Sequence, residues 1–190
     1  MALGPARYAR MIMLAAAFVT TLPAAARADD ARLIDPAHSK AAFAVQHLYV
    51  ARVTGDVPIL AGSVTLAADS LVPTAVEATL DARKMKTGDD DRDADLQGTE
   101  WFDTKRFPTW TYRSTRIVPG EKGAFLVEGT LTVHGVAAPV TLAATAKGTP
   151  ANPIFHAVGH VDRHAFHMTV TRTDALVATD VEISLNVTLK

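Results

Sequence analysis

Residues 124–133 read AFLVEGTLTV. Phe125, Val127, Gly129, Leu131 and Val133 fall on one face of an extended chain, with Glu128, Thr130 and Thr132 on the other. A period of two with apolar and β-branched residues on one side marks a strand with one buried face. His134-Gly135 then punctuates the chain as a turn, and Val140 and Leu142 resume the alternation. The same pattern extends in both directions. Trp110, Tyr112 and Ser114 share a face opposite Thr111, Arg113 and Thr115. Val181, Ile183, Leu185 and Val187 lie opposite Glu182, Ser184 and Asn186, and Ala41, Phe43, Val45, His47 and Tyr49 form one further face.

Eight strands are predicted in all, over 40–53, 57–67, 74–81, 109–117, 123–133, 139–147, 154–164 and 180–188. Between them stand turn residues: Ala68-Asp69-Ser70 with Pro73, Pro119-Gly120 with Gly123, and Gly148-Thr149-Pro150 with Pro153. Eight strands joined by short turns favour an all-β, antiparallel, up-and-down barrel, whose closure removes exposed edges and leaves room for an interior cavity. The one long interruption, 82–108, separates the third and fourth predicted strands. It is expected to hold one short helix, capped by Asp89, Asp90 or Asp91, with Leu96, Trp101 and Phe102 turned inward as a lid or a plug. Trp101, Phe102, Phe107 and Trp110 would then form an aromatic cluster, read either as core or as a gate over a cavity.

The two ends of the chain differ in character. Met11 to Leu22 is apolar, follows Arg7 and Arg10, and precedes Ala26-Arg27-Ala28. This is the pattern of a secretory signal peptide over residues 1–28, cleaved after Ala28 and too short to span a bilayer. The expected mature domain is 29–190. Without Arg7, Arg10 and Arg27 it carries sixteen basic against twenty acidic residues, a balance with no basic patch for nucleic acid. There is no cysteine, so neither disulfides nor thiol chemistry enters, although the expected destination is oxidising.

Three constellations suggest chemistry. Asp89 to Glu100 (DDDRDADLQGTE) has the ligand order of a calcium loop, but Ala94 stands where the sharp turn needs glycine. A calcium-binding structural module is therefore one alternative, and a capped helix with a solvated acidic face is the favoured reading. His156, His160, His164 and His167 are spaced for a metal only on a helix; along a strand, residues four apart are separated by about 13 Å. Ser39, beside His38 and near Asp35, has the residue types of a small periplasmic hydrolase, the second alternative, without a nucleophile elbow.

Several stretches together resemble the YceI family of bacterial exported lipid-binding proteins. Ile34-Asp35-Pro36-Ala37-His38-Ser39 with Phe43-Ala44-Val45-Gln46-His47-Leu48 is similar to its opening motif. Arg92-Asp93-Ala94-Asp95-Leu96 with Trp101-Phe102-Asp103 and Phe107-Pro108 is similar to its helix and link. Val127 to Val136 resembles its glycine-punctuated hairpin, and Arg163 with Phe166 its penultimate motif. Three positions depart from the pattern: Asp95 where the family has histidine, Asp56-Val57-Pro58-Ile59 where it is aromatic-rich, and His167 where it has glycine.

The resemblance implies a lipocalin-like barrel that holds a long apolar chain, isoprenoid or fatty-acyl, in the periplasm, with no enzyme activity, cofactor or metal. It also suggests a homodimer, a stress-related role, and transient membrane contact when the lipid is exchanged. On this reading Phe43, Val45, Val76, Ala78, Trp110, Tyr112, Val127, Leu131 and Leu142 line the cavity, with Leu96, Phe102 and Phe166 near its mouth. His47, Arg92 and Arg163 are the candidates for a polar contact with the head group, Arg92 and Arg163 having ion pairs with Asp93 and Asp162 as the competing role.

Overall fold

The computed structural model of the chain describes residues 29–48, 51–169 and 174–190. The expected signal peptide and Tyr49 lie outside the described residues. Among the described residues ten strands appear: β1 (Asp30–Leu33), β2 (Lys40–His47), β3 (Ala51–Asp56), β4 (Ile59–Leu66), β5 (Pro73–Asp81), β6 (Thr109–Pro119), β7 (Ala124–Val133), β8 (Val136–Thr149), β9 (Asn152–Asp162) and β10 (Val177–Thr188). One α-helix, α1 (Asp90–Gln97), lies in the connection from β5 to β6. All strand pairs are antiparallel, in the order β1-β4-β5-β6-β7-β8-β9-β10-β2-β3.

The all-β antiparallel expectation holds, and the strand count is corrected from eight to ten. The predicted strand 40–53 is a hairpin, β2 and β3, which turns at Leu48 with φ of 52°. The added strand, β1, has no apolar face and forms by pairing with β4, Leu33 opposite Ser63. The up-and-down barrel is corrected as well. β4 to β10 run as a sequential meander, but no ladder joins β3 to β4. The result is a curled half-barrel. Its two sides are linked by the chain itself: Val57 N–H still donates to Ala41 on β2 (3.0 Å), while the carbonyl of Pro58 accepts from Asp81 on β5 (2.8 Å). Beside this corner, Ile34 bridges to Leu189 just beyond the end of β10.

The core lies inside the curl. Phe125, Val127 and Val133 of β7, Val140, Leu142 and Ala144 of β8, and Phe155 and Ala157 of β9 are buried, as alternation requires. Burying one such side chain stabilises the fold by about 1.5–3 kcal/mol. In a meander, alternate connections fall at the same end. The β2–β3, β5–β6, β7–β8 and β9–β10 connections therefore gather at one end, and there Phe107 packs edge-on to His134, with ring centroids 4.9 Å apart.

Candidate ligand cavity

Within the curl is a cavity of about 420 Å³. All fifteen residues expected at the site line it: Phe43, Val45, His47, Val76, Ala78, Arg92, Leu96, Phe102, Trp110, Tyr112, Val127, Leu131, Leu142, Arg163 and Phe166. Phe43, Val45, Val76, Ala78 and Leu131 are only half-buried although they point inward, because their free surface faces this space. The sequence reading missed the opposite wall. Phe155, Ala157 and Val161 of β9, with Val181, Ile183, Leu185 and Val187 of β10, also line the cavity. The alternation of both segments carried that signal, as did Met168 beyond the 3₁₀ turn Arg163–Phe166.

Charge is confined to one end. Among the described residues, His47, Arg92, Asp95 and Arg163 are the only lining side chains with charge or an imidazole, and all stand at or beside the connections gathered there. The remaining walls are aliphatic or aromatic, Tyr112 included, whose hydroxyl donates towards the carbonyls of Val127 (2.9 Å) and Val140 (3.3 Å). Burial pushes the Tyr112 phenol up to about 12, so it stays neutral at physiological pH. Gly129 permits this placement: a Cβ there would lie 2.5 Å from the Tyr112 ring and hydroxyl.

α1 forms because Asp89 accepts the N–H of Arg92 (3.0 Å) and acids fill its first turn, where the helix dipole favours them. From Asp90 to Gln97 the acidic stretch is thus helical, not the open turn of a calcium loop. Asp93 is buried on the inner side of α1. It accepts from Thr87 N–H (2.8 Å) and Thr87 Oγ1 (2.7 Å), and its second oxygen faces Lys86 Nζ at 3.2 Å. The Thr87 hydrogen bond, aided by Lys86, holds its carboxyl below the usual range against the opposing effect of burial. Arg92 does not pair with Asp93. Its Nε donates to Thr87 Oγ1 (2.9 Å) and one Nη to the Thr87 carbonyl (3.2 Å).

Arg163 is a brace. It is 4% exposed, and its five N–H groups meet five acceptors. Nε donates to Ala178 (3.1 Å), one Nη to the carbonyls of Asp174 (3.0 Å) and Val177 (2.9 Å), and the other Nη to the carbonyl of Met168 and the Asp174 carboxylate at 2.7 Å. The expected partner, Asp162, instead accepts the N–H of His164. Arg163 therefore reaches the cavity with its donors already engaged. The adjacent His167 has φ of 59°, in the left-handed region that favours glycine, the residue the family pattern has there.

The other constellations come apart. His156 meets Asn186 (3.0 Å), His160 meets Asp180 (2.8 Å) and His164 meets Asp174 (3.0 Å). Among the described residues no group of three or more metal-ligating side chains converges. His38 bonds Asp35 (2.7 Å), whereas Ser39 Oγ accepts Thr188 N–H (3.0 Å), so serine and histidine do not form a catalytic pair. The aromatic cluster divides: Trp101, Phe102 and Trp110 face the cavity, and Phe107 turns away to His134.

Comparison with known proteins agrees with this architecture. The model of the YceI-like domain matches residues 33–189. A UPF0312 protein of Vibrio vulnificus strain YJ016 is 30% identical over 139 residues, covering 72% of this chain and 73% of its own. Burkholderia cenocepacia BcnA superposes with a TM-score of 0.71 at 23% identity, covering 83% of this chain and 99% of that one. A polyisoprenoid binding domain from Saccharophagus degradans, implicated in plant cell wall breakdown, superposes with a TM-score of 0.63 at 16% identity, covering 83% and 97%.

Proposed function

The chain belongs to the YceI-like family, and from that premise we propose that it binds a long-chain apolar lipid, isoprenoid or fatty-acyl, within the curl of its sheet. The observation that carries this reading is the cavity of about 420 Å³, walled by apolar side chains and charged at one end only. A space of that size falls in the range of small-molecule sites, about 300–1,000 Å³. The driving force is transfer of hydrocarbon from water, about 0.8 kcal/mol per buried methylene, less the cost of ordering the chain. The description of the Saccharophagus degradans domain as polyisoprenoid binding supports the isoprenoid class, on a shared fold.

The protein acts as a carrier or store, not as an enzyme. Phe43, Val45, Val76, Ala78, Trp110, Tyr112, Val127, Leu131 and Leu142 hold the chain, and Leu96, Phe102 and Phe166 pack near the charged end. There His47 and the exposed edge of Arg92 meet a head group, and Arg163 contributes its aliphatic stem. The apolar run Met11–Leu22 and Ala26-Arg27-Ala28 support export to the periplasm, with transient membrane contact during loading.

Native mass spectrometry of the protein purified from periplasm without detergent, followed by lipid extraction, tests both parts. A bound species of isoprenoid or long-acyl mass and an N-terminus at Asp29 are expected. An empty protein that takes up neither class when offered would end the carrier reading, and retention of residues 1–28 would end the export reading.

A further inference from the structure

Trp110 lies on β6, in the cavity wall and nine-tenths buried. Its indole Nε1–H is shielded from solvent and has no hydrogen-bond acceptor among the described residues. Two residues along the same face, the Tyr112 hydroxyl finds two backbone carbonyls. The interior of this sheet can therefore satisfy a ring donor, and at Trp110 it does not. A buried N–H without a partner is destabilising, and phenylalanine would fill much of the same space without that defect. The neighbouring ring is Phe102, with centroids 4.7 Å apart and planes tilted by 50°. Phe102 belongs to the irregular link after α1, outside the β-ladders, so its ring can turn without disturbing them.

We propose that Trp110 is the polar recognition point inside the cavity: its Nε1–H donates to a carbonyl or hydroxyl oxygen on an otherwise apolar ligand, reached when Phe102 turns aside. This rests on the lipid-carrier reading and narrows it to a neutral, oxygen-bearing lipid in preference to a plain hydrocarbon. A single uncharged donor among apolar walls suits a neutral acceptor, since one N–H does not offset the desolvation of an anion. The charged end does not substitute for it: Arg163 is fully engaged with backbone and Asp174, and two nitrogens of Arg92 are bonded to Thr87, which leaves only its exposed edge for a head group.

The test uses ¹⁵N-labelled protein and three ligands with one branched skeleton: phytane, phytanol and methyl phytanate. The chain has two tryptophans, so its spectrum holds two indole N–H signals, and Trp110→Phe assigns them. The Trp110 signal is expected to move downfield with phytanol and methyl phytanate and to stay in place with phytane. Wild type is expected to bind the ester about two- to tenfold tighter than the hydrocarbon, the range of one neutral hydrogen bond. In Trp110→Phe the preference of the ester over phytane should disappear, whatever affinity the variant keeps for the shared skeleton. An indole signal indifferent to the oxygen, or a preference retained in Trp110→Phe, would overturn the proposal. Should that variant fail to fold, Trp110 is assigned through Trp101→Phe and the wild-type signal decides alone. Failure of wild type to bind any of the three would instead overturn the carrier reading beneath it.

Discussion

Replacing Arg163 by methionine keeps the bulk of the side chain and removes all five donors. Met168, Asp174, Val177 and Ala178 then lose the group that gathers their carbonyls at the junction of β9 and β10. Breaking a buried ionic pair costs about 3–5 kcal/mol. The Asp174 carboxylate is 37% exposed, so water screens that arm, and the lower bound is the better guide. A loss of about 3 kcal/mol lowers the melting temperature of a domain this size by about 6–12 °C. Arg163→Lys, with three donors on a point charge, recovers less than half of the loss. Thermal denaturation followed by circular dichroism reads the stability, and native mass spectrometry of the same samples reads bound lipid. The expected result is a lowered melting temperature with lipid still present below it. A melting temperature within about 2 °C of wild type, combined with loss of the lipid, would refute the structural role and make Arg163 a ligand contact.

Three further outcomes follow from the packing and the charges. Ala78→Phe places a ring in the cavity, so it should expel bound lipid while near-native melting is kept; unchanged lipid content by extraction would place the binding site elsewhere. Gly129→Ala should destabilise by about 2 kcal/mol or more, since its Cβ would lie 2.6 Å from the carbonyl oxygen of Arg113 as well as against Tyr112. Tyr112→Phe should cost only about 1 kcal/mol, and the order of the two in urea denaturation is the check. The carboxyls of Asp81, Asp93 and Asp174 are held low by hydrogen bonds from Arg83, Thr87 and Arg163 respectively. Their contribution is full above the ordinary aspartate value of 3.8 and is lost as pH falls from there through the folded values. Melting temperature should therefore decline below about pH 5, and Asp93→Asn should flatten the decline; an equal slope in that variant would show that Asp93 does not carry it.

The strands legible in the sequence were those whose two faces differ in polarity. From 109 to 162 alternation located β6 to β9, and for β6, β7 and β8 the side that faces the cavity. β1 was illegible because Asp30-Ala31-Arg32-Leu33 has no buried face, Leu33 itself being 59% exposed; its existence depends on a partner thirty or more residues away. The β2–β3 turn was hidden because a leucine takes the left-handed position where glycine or asparagine would have announced it. The helix was legible through its cap: Asp89 and the acids after it give the backbone a place to begin. At the site, sequence neighbours misled. Asp162 adjoins Arg163 but caps the following turn, while the chain folds Asp174 back onto the guanidinium. The orphaned Trp110 donor has no sequence signature at all, since it is defined by what surrounds it.

A barrel closed by a complete ladder has a circumference fixed by strand number and stagger. Here the two sides are stitched by covalent chain from Asp56 to Ile59 and by the bridge of Ile34 to Leu189, with no ladder between β3 and β4. The girth of the container is thus set at a seam and not by a hoop. A bulkier guest can widen the space by displacing a few corner residues while every ladder stays intact. On the lipid-carrier reading, one scaffold would then accept chains of different thickness without a change in strand register.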